Sequence, residues 1–149
     1  MANSVSLKRW EIVPYKAVGP LYFGLTRDQG RSLLGEKFSS FRKGPYSATD
    51  TDAYDECGLH LYYDEKDRLE AIEAFEPCPV YYRDISLLNI SVREVLDRLA
   101  SLGVSARYDD GHLLDAGGFA LYAPDDVVRA VTVYRKGYYD EPPDVTSNG

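Results

Sequence analysis

Sulfur and imidazole are scarce in this chain, which has two cysteines, one methionine and two histidines in 149 residues. So few thiols exclude a disulfide-stapled scaffold and leave little for a zinc centre. Basic charge is short as well: 17 Lys and Arg stand against 24 Asp and Glu, a formal net charge of -7 at pH 7. Nucleic acid and anionic membrane surfaces both require clustered cations, so neither is an expected partner. No apolar run reaches the roughly 18 residues of a membrane-spanning helix. The opening stretch, with Lys8 and Arg9 as its basic residues, lacks the roughly 7–15 apolar residues of an export signal. The expectation is a cytoplasmic protein in which Cys57 and Cys78 are reduced thiols, even if adjacent strands make them neighbours. Dinucleotide fingerprint, P-loop and Gly-x-Ser-x-Gly elbow are all missing, and no cofactor is expected.

Tyrosine, by contrast, is abundant at 13 residues, within a composition that is 44% hydrophobic and 28% charged. That balance and length suit one domain with a core of its own, here residues 1–140, followed by a tail, 141–149, whose prolines and polar residues predict disorder. Self-similarity organises the rest. Leu21-Tyr-Phe-Gly-Leu-Thr26-Arg-Asp-Gln29 recurs as Ser86-Leu-Leu-Asn-Ile-Ser91-Val-Arg-Glu94. Thr26-x-x-Gln29 and Ser91-x-x-Glu94 both read as capping boxes that start a helix, and Gly35 and Gly103 are suited to end them. Val92, Val95, Leu96, Leu99 and Leu102 give the second helix an apolar stripe. Gly30 stands where the second copy has Val95, so the first helix either admits a close backbone there or frays.

Farther on, Gly58-Leu-His-Leu-Tyr62 matches Gly118-Phe-Ala-Leu-Tyr122, and Leu69-Glu-Ala-Ile-Glu-Ala-Phe75 matches Val128-Arg-Ala-Val-Thr-Val-Tyr134. Each pair alternates with period two and makes a hairpin. Extended segments at 11–22 and 80–88 enter the copies, and further strands are expected at 38–46 and 104–108. Residues 47–56 and 109–116 read as polar, mobile loops. The predicted fold is α+β: two tandem helix-plus-antiparallel-strand repeats, about 11–76 and 77–140, forming one sheet with the helices on one face.

Phe23-Gly-Leu-Thr-Arg-Asp-Gln29 resembles the phrase that opens each repeat of the secreted β-lactamase inhibitory proteins, whose two copies also pair a helix with a sheet. Small lipoproteins of outer-membrane assembly use a related single unit. The resemblance implies a tandem-repeat α+β fold that binds protein through the sheet face its helices leave free. This chain differs in having neither an export signal nor a cysteine pair within each repeat.

On the pleat, Leu59, Leu61, Tyr63, Ile72, Ala74, Phe119, Leu121, Ala123, Val131 and Val133 fall on the apolar side expected to meet the helices. The opposite side then carries Tyr62, Phe75, Tyr122 and Tyr134, flanked by His60 and Glu73. Rigid aromatics on an open sheet face suit protein binding. The alternatives are cross-strand stiffening, a homodimer interface, or cover from the Tyr138-Tyr139 segment folding back. Cys57-x-x-His60 with Cys78 and His112 lacks a second closely spaced ligand pair, so no metal is expected. Asp50-Thr-Asp52-Ala-Tyr-Asp55-Glu56 departs from a calcium loop at its third ligand and lacks the glycine. The expected function is a non-enzymatic, acidic protein-binding module, an intracellular inhibitor or immunity-type protein with a basic partner. The alternative is a small-molecule-binding or enzymatic domain with a pocket near His60, Tyr62 and Glu73.

Overall fold

A hydroxyl cap fixes the start of each helix. Thr26 Oγ1 accepts from Gln29 N at 3.1 Å while Gln29 Oε1 accepts from Thr26 N at 2.9 Å, the full reciprocal box. Ser91 Oγ accepts from Glu94 N at 3.1 Å, but the Glu94 carboxylate turns away to Arg98, 3.2 Å off. The second cap is therefore half a box. A computed structural model of the chain describes residues 9–42, 49–109, 113–115 and 117–138. The elements run β1 (Trp10–Val13), β2 (Ala17–Val18), β3 (Leu21–Tyr22), α1 (Arg27–Leu34), β4 (Ser39–Arg42), β5 (Asp50–Tyr54), β6 (Leu59–Tyr63), β7 (Leu69–Phe75), β8 (Val80–Tyr82), β9 (Ile85–Ser86), α2 (Val92–Ser101), β10 (Arg107–Asp109), β11 (Leu113–Asp115), β12 (Phe119–Tyr122) and β13 (Ala130–Tyr134).

The mixed α+β class holds, but the single sheet does not. The strands form an eight-stranded sheet, β10-β11-β12-β13-β7-β6-β5-β4, and a five-stranded one, β3-β2-β1-β8-β9. Both hairpins join the larger sheet, through the antiparallel pair β7 and β13. The entering segments instead pair with each other, β1 parallel to β8 with Trp10 opposite Val80. A partner that far along the chain leaves no trace in local alternation. Trp10, Ile12, Val80, Tyr82 and Ile85 from the small sheet share one core with Leu34 of α1, Val95 and Leu99 of α2, and Leu59, Leu61, Ile72, Phe119, Leu121, Val131 and Val133 of the large sheet. The side assigned to the core is thus buried as expected.

Residues 47–56, read as a mobile loop, contain β5, whose Thr51 to Tyr54 are all buried. Of the other expected loop, 113–115 form a strand; residues 110–112 with His112, residue 116, Tyr139 and the tail lie outside the described residues. Leu102 of the α2 stripe is 39% exposed, because the helix ends at Ser101. Gly30 does admit a close neighbour, a side chain rather than a backbone: a Cβ there would overlap Tyr63 Oη.

The same backbone hydrogen bonds recur in both halves. Gly24 N donates to Leu69 O and Asn89 N to Val128 O; Leu69 N donates to Leu25 O and Val128 N to Ile90 O. Arg27 N donates to Asp67 O and Val92 N to Asp126 O, with Asp67 and Asp126 at φ 60° and 68°. Finally, Phe75 N donates to Gly58 O as Tyr134 N does to Gly118 O. Each helix is thereby tied at its start to the turn of its own hairpin.

Candidate functional site

The register of the large sheet places the outward residues in rows. His60 stands opposite Glu73 and Glu73 opposite Thr132, with Ala53 on the other flank of His60 and Ala120 beyond Thr132. One row over, Tyr62 and Tyr134 stand either side of Ala71. Small residues floor this face, Ala53, Ala71, Ala120 and Ala130 being at most 6% exposed. Aromatic rings rise above them. Phe41 of β4 meets His60 edge-on at 5.3 Å, and His60 meets Phe75 edge-on at 4.9 Å, so three rings step across the alanine floor. Tyr122 is 47% exposed and Phe41 40%.

Hydrogen bonds lock the ladder in place. His60 Nε2 lies 3.0 Å from Asp55 Oδ1 and Nδ1 3.4 Å from Glu73 Oε1, while Tyr62 Oη donates to Glu73 Oε1 at 3.0 Å. Serving carboxylates on both ring nitrogens requires both to carry protons, so the geometry favours imidazolium. The pKa of His60 is accordingly raised, first by the Glu73 hydrogen bond, against desolvation, with Asp55 adding to it.

Five of the six residues assigned to this face from sequence, Tyr62, Phe75, Tyr122, His60 and Glu73, are brought together on it. Tyr134 belongs to the face but not to its surface. It is 4% exposed, met edge-on by Tyr15 at 6.0 Å and stacked by Tyr138 at 6.0 Å. Tyr15 bridges to Arg135 from the loop after β1, while Tyr138 lies in the turn just past β13, so cover comes from one segment remote in sequence and from the adjoining turn folding back, as one of the alternatives expected. Phe41 and Asp55 were not among the assigned residues; alternation along β4 offered a signal for Phe41, whereas Asp55 needed the turn's geometry.

The opposite side of the sheet holds a charged cluster that composition conceals. Asp52 is fully buried and accepts Arg27 Nη1 at 2.9 Å, Arg31 Nε at 2.8 Å and Nη2 at 2.9 Å, and Ser40 Oγ at 3.1 Å. Arg31 clasps it as a fork, and that hydrogen bond is the main cause of its raised pKa. Arg27 also donates to Asp67 at 3.1 Å and lies over the Tyr63 ring at 4.3 Å. In α2 the positions matching Arg27 and Arg31 are Val92 and Leu96, which cannot make the same ion pairs.

A groove of about 450 Å³ beside α1 is lined by Pro20, Tyr22, Leu25, Gln29 and Leu33, across the sheet from His60. Among the described residues no group of three or more His, Cys, Asp or Glu is placed to hold a metal ion, and no helix is long and apolar enough to cross a membrane. No family model, no curated protein and no solved structure matches the chain.

Proposed function

We propose that this chain is a non-enzymatic, acidic module that binds a basic protein through the sheet face bearing Phe41, His60, Tyr62, Glu73, Phe75 and Tyr122, in the manner of an intracellular inhibitor or immunity-type protein. The observation that carries it is the Phe41–His60–Phe75 ladder: rings already held by packing and by carboxylates lose little freedom on binding. Asp55 and Glu73 outnumber the one imidazolium between them, which adds to the chain's net charge of -7 in favouring a cationic partner. The enzymatic alternative is the weaker reading, because His60 spends both nitrogens on carboxylates and Tyr62 donates its hydroxyl to Glu73.

In this reading the two halves are a tandem duplication of the kind the β-lactamase inhibitory proteins display. The recurrence of paired bonds around Gly24 and Asn89, Leu69 and Val128, and Gly58 and Gly118 supports it.

Affinity capture from the native host tests the proposal, with Phe75→Ala/Tyr122→Ala as the altered bait and Tyr22→Ala, in the groove beside α1, as control. A basic protein held by wild type and control is expected to bind the double variant at least about 30-fold more weakly, the loss of one hot spot. Equal affinity for all three baits overturns the proposal.

A further inference from the structure

We infer that Cys57 and Cys78 form a modification site: a dithiol that closes to an intramolecular disulfide when a low-molecular-weight disulfide reacts with the folded chain. The two cysteines sit in abutting turns. Cys57 N and Gly58 N both donate to Tyr54 O at 3.0 Å, and Cys78 N donates to Phe75 O at 2.8 Å. The turns are joined by Phe75 N donating to Gly58 O at 2.8 Å. Gly58, at φ +77°, faces the second turn so closely that a Cβ would overlap Phe75 O and lie 2.8 Å from Cys78 N. Cys57 is the residue next to that glycine, one Cα step of about 3.8 Å away, so both cysteines border the point where the two turns touch.

Both side chains enter one apolar cluster, Cys78 3% exposed and Cys57 packed against the cluster's edge. Their roles differ with their exposure. Burial, with the neighbouring Cys57 adding to it, pushes the Cys78 thiol up to about 12, so the half-buried Cys57 is the point of entry. The Cys57 thiolate attacks the small disulfide and releases one small thiolate, giving a mixed disulfide. Cys78 then loses its proton to solvent, attacks the Cys57 sulfur and expels the second thiolate. Two protein thiols are oxidised and one small disulfide is reduced to two thiols. The bond would tie the turn bearing Asp55 to the end of β7 at Phe75, both of which hold His60.

Incubating the native chain with oxidised glutathione, then acid quench and peptide mapping, tests the assignment. The expected product is a Cys57–Cys78 linked peptide from a monomer lighter by two hydrogen atoms, with a higher melting temperature than the reduced chain. C78S is expected to stop at a glutathione adduct on Cys57. A wild-type chain that halts at the same adduct, stays unreacted, cross-links only between chains, or closes only in denaturant overturns the inference, whether or not C78S folds.

Discussion

Asp52→Asn is a demanding change for this structure, because it removes a charge from a fully buried position. The native carboxylate takes three guanidinium contacts between 2.8 and 2.9 Å and a serine hydroxyl at 3.1 Å. Asparagine keeps the shape but offers one oxygen and an amide that itself donates, so at least one guanidinium N–H meets another donor. Breaking a buried ion pair from one side costs about 3–5 kcal/mol. The Arg31 side chain is 34% exposed and Arg27 12%, so water relieves part of the loss and the expected cost is near the lower end, about 3 kcal/mol. In a chain of this size that lowers the melting temperature by roughly 6–12 °C. Urea unfolding followed by circular dichroism reads it as a lower midpoint with an unchanged m-value. A companion variant, Arg27→Val/Arg31→Leu/Asp52→Leu, copies the apolar side chains of α2 and is expected to regain most of the loss, since apolar replacement of a whole buried cluster is often neutral or stabilising. An Asp52→Asn cost below about 1 kcal/mol would refute the reasoning, placing the cluster among surface ion pairs of little worth.

Three further outcomes follow. Gly30→Ala gains roughly 1 kcal/mol of helix propensity but drives a methyl into Tyr63 Oη, so net destabilisation is expected. Adding Tyr63→Phe removes the overlapping atom and leaves the ring Cζ at 3.5 Å, and a double-mutant cycle by urea unfolding is expected to show favourable coupling of about 1 kcal/mol or more. His60 has a pKa raised above its ordinary 6.5, so its contribution to stability is fully present below that value and is lost as pH rises through the folded pKa. Stability curves of wild type and His60→Gln between about pH 5.5 and 8 are expected to converge toward the alkaline end; a gap that widens with pH would contradict the clamp. Phe41→Ala, removing a ring that is 40% exposed, is expected to lower partner affinity with a melting-temperature change within about 3 °C, checked by titration calorimetry and thermal denaturation.

How much of this was legible in sequence depended on whether the cause was local. The Thr26 and Ser91 caps and the alternation of Leu59 to Tyr63 and Leu69 to Phe75 are short-range patterns, and the structure realises the helices and the hairpin's core side. β5 was opaque because Asp50-Thr-Asp-Ala-Tyr54 has the composition of a solvated turn. Only two arginines on a helix more than twenty residues upstream, with Ser40, make Asp52 a buried residue. Splitting the strands into two sheets rests on Trp10 meeting Val80, again a partner remote in sequence. The candidate face shows the same division: period two aimed His60, Tyr62, Glu73, Phe75 and Tyr122 outward, and the fold-back of Tyr138 onto Tyr134 was among the expected alternatives, whereas the second cover, Tyr15, arrives from the opposite end of the chain and left no local signal. Asp55, which completes the histidine clamp, is carried by a turn that alternation does not describe.

Hydrogen exchange on the full chain, with and without the basic protein that wild-type bait retains, tests binding through this face most directly. Binding there predicts slowed exchange in β4, β6, β7 and β12 around Phe41, His60, Phe75 and Tyr122, with α1 and α2 unchanged. Slowed exchange confined to the helices and the groove by Tyr22 would contradict it.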